Sequence, residues 1–289
     1  MIAFAIRNIK LYFRDKGAVF FSVLTVLITL GLYFLFLGDV YAENIIKSGV
    51  TVTGASEIMD NWVMAGIVAE VSITVSHGVL GIIIADKARK ITKDFYVSPV
   101  KNSALTGGYI SCAFVVSVLM TVATFVLAQG YFLLNGRAVI HVAKLPKIFG
   151  VIFLVNFAAT GMMSFFVSLF KSQQAYSSAS SVIGTLLGFV MGIYLPIGMY
   201  PSIVQWIIKC FPISHGAVLL RQLMMEMVME DAFSGISEPV FEEICESFGV
   251  TYYFGDFKVT PLISVCILLA TGVVFMGLAC VNLGKKQRG

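Results

Sequence analysis

Long apolar runs separated by short polar breaks dominate the chain. Six of them approach or exceed the roughly 20 residues that a helix rising about 1.5 Å per residue needs to cross a hydrocarbon core about 30 Å thick. They cover residues 18–37, 62–85, 104–134, 148–170, 179–195 and 259–283. A seventh apolar piece, 203–228, is broken by Lys209, Pro212, His215 and Arg221. It reads as a re-entrant or interfacial hairpin, tolerated only where protein covers its backbone. The first 14 residues carry a different pattern. At about 100° per residue, Ile2, Ile6, Ile9 and Phe13 fall within about 60° of one another, and Arg7, Lys10 and Arg14 cluster on another face. Such a helix lies in the headgroup layer, either as a basic topogenic flank or as a surface that also touches a cytoplasmic partner. The predicted fold is an all-α membrane protein. One transmembrane domain over 1–289 holds six transmembrane helices, an amino-terminal amphipathic interfacial helix (1–16), a cytoplasmic loop (86–102), and a re-entrant hairpin with an acidic external cap before the last span (202–258).

Composition narrows the class. Of 289 residues, 58% are hydrophobic and only 12% charged, with a mean hydropathy of +0.91. A soluble domain carries about 25% charged residues and needs them to cover its surface. Disordered chains, collagens, disulfide scaffolds and ordinary cytosolic enzymes are excluded. The net charge is +4, but its distribution says more. Thirteen Lys and Arg fall on the side that holds both termini, and seven on the other. The basic side is cytoplasmic, so a multi-pass protein of the cell membrane with both ends inside is expected. The opposite side is acidic between Glu226 and Asp256. No convincing cleavable signal follows the first run.

Candidate chemistry inside the bilayer is sparse. Glu70 and His77, seven residues apart in the second run, share a helix face, with Ser72 and Ser76 nearby. A carboxylate at mid-membrane costs about 2.5–3.5 kcal/mol on insertion scales, so it must face protein or water. Glu70 is read as an interhelical hydrogen-bonding group, as a contact for a cationic or polar substrate, or as a proton relay. Gly184, Gly188 and Gly192 make two overlapping G-x-x-x-G steps in the fifth run, which predict close approach of another helix. Arg221 either pairs with Glu226, caps the external end of a pathway or anchors structure. Met224, Met225, Met227 and Met229 form a soft cluster nearby. Of the five cysteines, Cys210 and Cys245 are the two that lie on one external side and are open to pairing. No metal-ligand spacing, hydrolytic triad or nucleic-acid motif is present, so no metal, cofactor or nucleic-acid partner is expected for this chain. The candidate transport pathway comprises Glu70, His77, Gly188, Gly192 and Arg221.

The loop at 86–102 is too long and charged for a tight turn. Residues 87–97 are read as a short helix with Ile91 and Phe95 on one side, stopped at Pro99. Its exposed Phe95–Tyr96 pair is a docking knob for a soluble subunit, or simply part of a basic loop. The string F-Y-V-S-P-V-K at 95–101, followed by L-T-G-G-Y-I at 105–110, resembles the corresponding loop of type-2 ABC transporter permeases. The segment F-P-I-S-H-G-A-V-L-L-R at 211–221 resembles that family's Phe-Pro segment before the last span. The string at 85–92 lacks the glycine that often follows the family's acidic-arginine pair. The resemblance implies a half-transporter in which two permease chains and two ATP-binding cassette subunits form an exporter, with ATP and Mg held by the partner. It also implies that Ile91, Phe95, Tyr96 and Pro99 couple the spans to that partner. The chain has no G-x-x-x-x-G-K-[ST] cradle of its own. It is therefore expected to be no enzyme. The expected activity is outward movement of an amphipathic drug, peptide or lipid-like cargo by alternating access. An ion-coupled secondary transporter using Glu70 is the alternative.

Overall fold

The computed structural model describes residues 1–17, 52–91, 102–137, 139–234 and 236–285, with isolated positions between 19 and 31. The predicted first span, and Phe95, Tyr96 and Pro99 of the predicted coupling helix, lie outside the described residues. The described chain is almost entirely helical. Helix α1 is Ile2–Arg14. The long helices α2 (Val52–Ala88), α3 (Asn102–Leu134) and α4 (Leu145–Leu169) follow. Next come α5 (Gln173–Val190), α6 (Ser202–Cys210) and α7 (Ser214–Ala232). Helix α8 (Glu238–Ser247), a hairpin of β1 (Tyr253–Phe254) and β2 (Phe257–Lys258), and α9 (Pro261–Lys285) complete the order.

Helices α2, α3, α4 and α9 are long and apolar enough to span a bilayer. At 37 residues, α2 is about 55 Å long and projects well beyond the hydrocarbon. It is the central element, packed on α3, α4, α5 and α7. Trp62, Ile67, Ile73 and Leu80 are all but sealed from solvent along it. The tightest seam joins α4 and α9, where a Cβ added at Gly161 would sit 2.7 Å from the Gly272 carbonyl oxygen. Two glycines let these backbones touch, the packing device predicted for the fifth run but found between the fourth and sixth.

Several boundaries differ from the sequence reading. The fifth span was expected at 179–195; the helix runs Gln173–Val190 and ends early. Its serine-rich first half keeps it from qualifying as an apolar span by composition. The loop helix was expected to begin at 87. Instead α2 continues to Ala88 and breaks at Arg89–Lys90, with Lys90 at φ 61°. Ile91 follows the break, half-buried. The broken seventh piece is two helices meeting at 90° across residues 211–213. Pro212 sits at that corner because it cannot continue the helix hydrogen-bond ladder.

Both ends of the bundle are tied by charge. On one side Asp86, buried at the end of α2, accepts from the Tyr109 hydroxyl at 2.7 Å and lies 3.7 Å from Arg7. Helix α1 thus leans on α3 through Ala5, Asn8 and Tyr12, while Ile2, Ile6 and Phe13 stay exposed. Met1 and Phe4 fit over Gly107 and Gly108, where any Cβ would collide with them. At the other end Arg137 reaches Asp60 at 3.4 Å and Ser56 at 2.9 Å. The acidic cap is fastened by Lys209–Glu246 at 3.0 Å and by Lys258–Glu242. Cys210 and Cys245 are both free thiols, Cys245 being buried.

Candidate functional site

Helix α2 shows two polar faces. Ser72 and Ser76 do not share a side with Glu70; at about 100° per residue they point well away from it. They join a buried polar seam. Ser117 of α3 donates to the Ser72 carbonyl at 2.9 Å and to Asn156 Oδ1 of α4. Thr121 donates to the same Asn156 oxygen at 3.2 Å, and Asn156 donates on to Ile152 at 2.8 Å. Ser76 pairs with Thr160 at 3.0 Å. Every member has a partner, so this seam is structural.

The second face meets α5. His77 Nε2 lies 2.7 Å from Ser180 Oγ, and the Tyr176 hydroxyl donates to the His77 carbonyl at 2.6 Å. The Tyr176 ring packs at 4.8 Å from the imidazole and covers Gly81. The prediction that His77 faces the pathway therefore changes: it is a contact between the two helices.

The edge of that same face is partly open, since Glu70, seven residues before His77, lies only about 20° from it. Within its apolar middle, α2 is buried except at Glu70, Thr74, Gly78, Gly81 and Ile82. Glu70, Thr74 and Gly78 recur every fourth residue and form one stripe. Glu70 has no ion-pair partner among the described residues; Tyr194 beside it feels its charge. The Thr74 hydroxyl is buried and has no hydrogen-bond partner among the described residues, and among them nothing lies within 4 Å of a Cβ added at Gly78. On α5, Ser177, Ser181, Gly184 and Gly188 lie within about 60° of one another. The first three are exposed, and Tyr194 covers Gly188. Because α2 and α5 run antiparallel, equal rotations away from their contact bring both flanks to the same side. A groove lined by one carboxylate, hydroxyls and glycines results. Thr74 and Gly78 were missed in the sequence, although their spacing from Glu70 marks them.

The remaining predicted residues play supporting parts. Gly192 is not a groove glycine. At φ 64° it ends α5 in a Schellman turn, with Ile193 N donating to the Gly188 carbonyl at 2.9 Å and Gly192 N to Phe189 at 3.1 Å. Gly188 is sealed by Tyr194, and only Gly184 remains an open step. Arg221 does not pair with Glu226, which binds Lys144 at 2.8 Å. Its guanidinium instead donates to the Met191 and Gly192 carbonyls at 2.7 and 2.9 Å and lies 4.8 Å above the Trp62 ring. It therefore caps the negative end of the α5 dipole. Trp62 is fixed in turn by donating to the Phe248 carbonyl at 2.7 Å. One buried cation thus ties α7, α5, α2 and the external cap. Met224, Met225 and Met229 are buried filler around it, and Met227 faces outward. Among the described residues no group of His, Cys, Asp and Glu is placed to hold a metal ion.

No curated protein matches the chain. A family model described as ABC-2 family transporter protein matches residues 42–281, most of its length. That match accounts for a multi-pass helical membrane protein and for a permease that relies on a separate ATP-binding cassette subunit. It does not favour the ion-coupled alternative. The chain belongs to the ABC-2 family of transporter proteins.

Proposed function

We propose that the chain is the permease half of an ATP-driven exporter that moves an amphipathic substrate outward by alternating access. Two copies, or this chain with a homologous one, enclose a cavity lined by Glu70, Thr74 and Gly78 of α2 and by Ser177, Ser181 and Gly184 of α5. The observation that carries this reading is the open stripe on a helix whose other faces are packed. A carboxylate with no ion-pair partner among the described residues persists at bilayer depth where it has something else to meet. Glu70 offers charge to a cationic headgroup, and the hydroxyls offer hydrogen bonds. The glycines leave room for the apolar body. ATP, with Mg, is bound and hydrolysed in the partner subunit. The segment 86–102, with Ile91, Phe95, Tyr96 and Pro99, receives its stroke, and both termini lie in the cytoplasm. Arg221 positions α5 rather than touching cargo.

The test is efflux of a panel of cationic, neutral and anionic amphipaths from cells carrying the chain with its ATP-binding partner. Glu70→Gln is expected to lower efflux of the cationic members about tenfold, the worth of roughly 1.4 kcal/mol, and to spare the neutral ones. Equal losses for all three classes would remove Glu70 from substrate contact. Export that continues without any ATP-binding partner would remove the reading itself.

A further inference from the structure

On the flank of α5 opposite the polar groove lies a second cavity, of about 430 Å³. Met162, Phe166 and Leu169 of α4, Ile183 of α5, Phe275 of α9 and Phe211 at the tip of the bent pair are among its walls, and every lining residue is apolar. Leu169 and Leu186 stand half-exposed at its rim, so it opens sideways from the bundle. The volume equals that of roughly 14 water molecules at about 30 Å³ each, and a hydrocarbon chain with a similar number of carbons fills the same space. Water has no hydrogen-bond partner there, and an empty void of this size is foreign to packed protein. At the near end of the opening, two residues beyond Leu169, stands Lys171, exposed and with no acidic partner among the described residues. Beside it α5 begins with no acidic residue in its first turn. The Ser172 side chain accepts from the Ala175 N–H at 3.2 Å, and the Gln173 and Gln174 N–H groups have no acceptor within their own helix. An apolar slot at bilayer depth with an unpaired cation at its membrane edge matches a molecule with an acyl tail and an anionic head.

We propose that this cavity holds an acyl chain of an anionic phospholipid from the leaflet on the Lys171 side, with its phosphate near Lys171 and the start of α5. The site lies on the other flank of α5 from Glu70, so the lipid is a resident that fills the gap between α5 and the α4–α9 pair, not the cargo.

The test uses the full-length chain in vesicles of phosphatidylethanolamine and phosphatidylglycerol. These carry a trace of phosphatidylglycerol with a photoreactive diazirine midway along one acyl chain. After illumination, label is expected on 162–169, 183–190 and Phe275 at about ten times the level on the exposed Val115–Leu119–Val126 face of α3. Leu186→Trp, which plugs the rim, should lower cavity labelling about tenfold, equivalent to losing about two buried methylenes, with the thermal midpoint unchanged. Ile183→Phe, which fills the slot from within, should do the same and serves if the first variant fails to fold. Lys171→Glu should reduce labelling by the phosphatidylglycerol probe and not by a phosphatidylcholine probe of the same chain. Labelling equal to that of α3, or insensitive to both filling variants, overturns the proposal. Efficient crosslinking of two chains through Leu186→Cys also overturns it, because a second copy then covers the opening. Equal response of both probes to Lys171→Glu removes the headgroup contact. None of these outcomes depends on what is exported.

Discussion

Two polar faces of α2 sit a few ångströms apart and obey opposite rules. The face of Ser72 and Ser76 is closed: Ser117, Thr121, Asn156 and Thr160 answer it, each hydroxyl or amide finding a partner on a neighbouring helix or its own backbone. The face of Glu70 and Thr74 is half-buried and unsaturated: among the described residues the carboxylate has no ion-pair partner and the buried Thr74 hydroxyl no hydrogen-bond partner. Polar groups in a membrane helix are usually read by type, with a charge counted as functional and a serine as incidental. Here the decisive property is whether the partner is protein. A saturated seam fixes helix register. An unsaturated stripe leaves binding capacity unspent. The same division recurs in the glycines. Gly161 is filled by the backbone of α9, whereas Gly184 faces empty space.

The sharpest way to break this comparison is to exchange the fates of the two faces. Asn156→Leu keeps the volume of a buried side chain but orphans Ser117 and Thr121. Each orphaned group costs about 1–3 kcal/mol, so the melting temperature in detergent should drop by several degrees. Glu70→Gln should leave that temperature unchanged or slightly higher, since it removes a charge that no cation among the described residues pairs with. Equal destabilisation by both variants would mean that Glu70 is held by protein contacts after all, and the distinction between the faces would fail.

Why one face was legible in the sequence and the other was not follows from the same physics. Glu70 stands out because a carboxylate in an apolar run is rare. The span positions of α2, α3, α4 and α9 stand out because hydropathy needs no partner to be read. The hairpin corner was visible through Pro212. Asn156 gave no warning, because an amide inside a run of Ile, Val, Leu and Phe reads as noise until Ser117 and Thr121 are brought to it. Gly192 was misread for the complementary reason. G-x-x-x-G spacing is the same string whether the last glycine lies on a helix face or ends the helix at φ 64°. Arg221 was placed in the candidate pathway with an anchoring role as one of its alternatives; its partners are backbone carbonyls, and backbone carbonyls have no signature in sequence. Tyr109 and Asp86 are 23 residues apart, a contact that only the antiparallel return of α3 creates.

A glycine pair sharpens the comparison at smaller amplitude. Gly161→Ala places a methyl 2.7 Å from the Gly272 carbonyl oxygen, and α4 must move off α9 to admit it. Overpacking of that kind costs about 1–3 kcal/mol. Gly184→Ala meets nothing within 4 Å and gains helix propensity, about 0.5–1 kcal/mol in favour of folding. Thermal unfolding of the two variants should therefore move in opposite directions. A loss of stability at Gly184→Ala would show that another helix, in the same chain or a second copy, already occupies that flank.

The smallest expected effect separates the membrane seam from the external cap by pH. Serine, threonine and asparagine do not titrate, so the α2–α3–α4 seam should hold its strength across the acid range. The cap differs. The hydrogen bond from Lys258, together with its charge, holds the Glu242 carboxyl below its ordinary value of 4.5. The same bond raises the Lys258 ammonium above its ordinary 10.5. A carboxyl whose value is depressed by folding contributes fully above its unfolded value, and that contribution is lost as pH falls through the folded one. A raised ammonium contributes fully below its unfolded value and loses that contribution as pH rises through the folded one. The β1–β2 hairpin and α8 should be fastened most firmly between those limits. Amide exchange across 238–258, corrected for the intrinsic pH dependence of the chemistry, is the measurement. Protection there should weaken below pH 4.5 while protection in α2 stays level, and Glu242→Gln should abolish the acid-side difference. The pair is solvent-exposed and screened by salt, so the effect should shrink as ionic strength rises. An acid transition that ignores salt would overturn the assignment to this exposed pair.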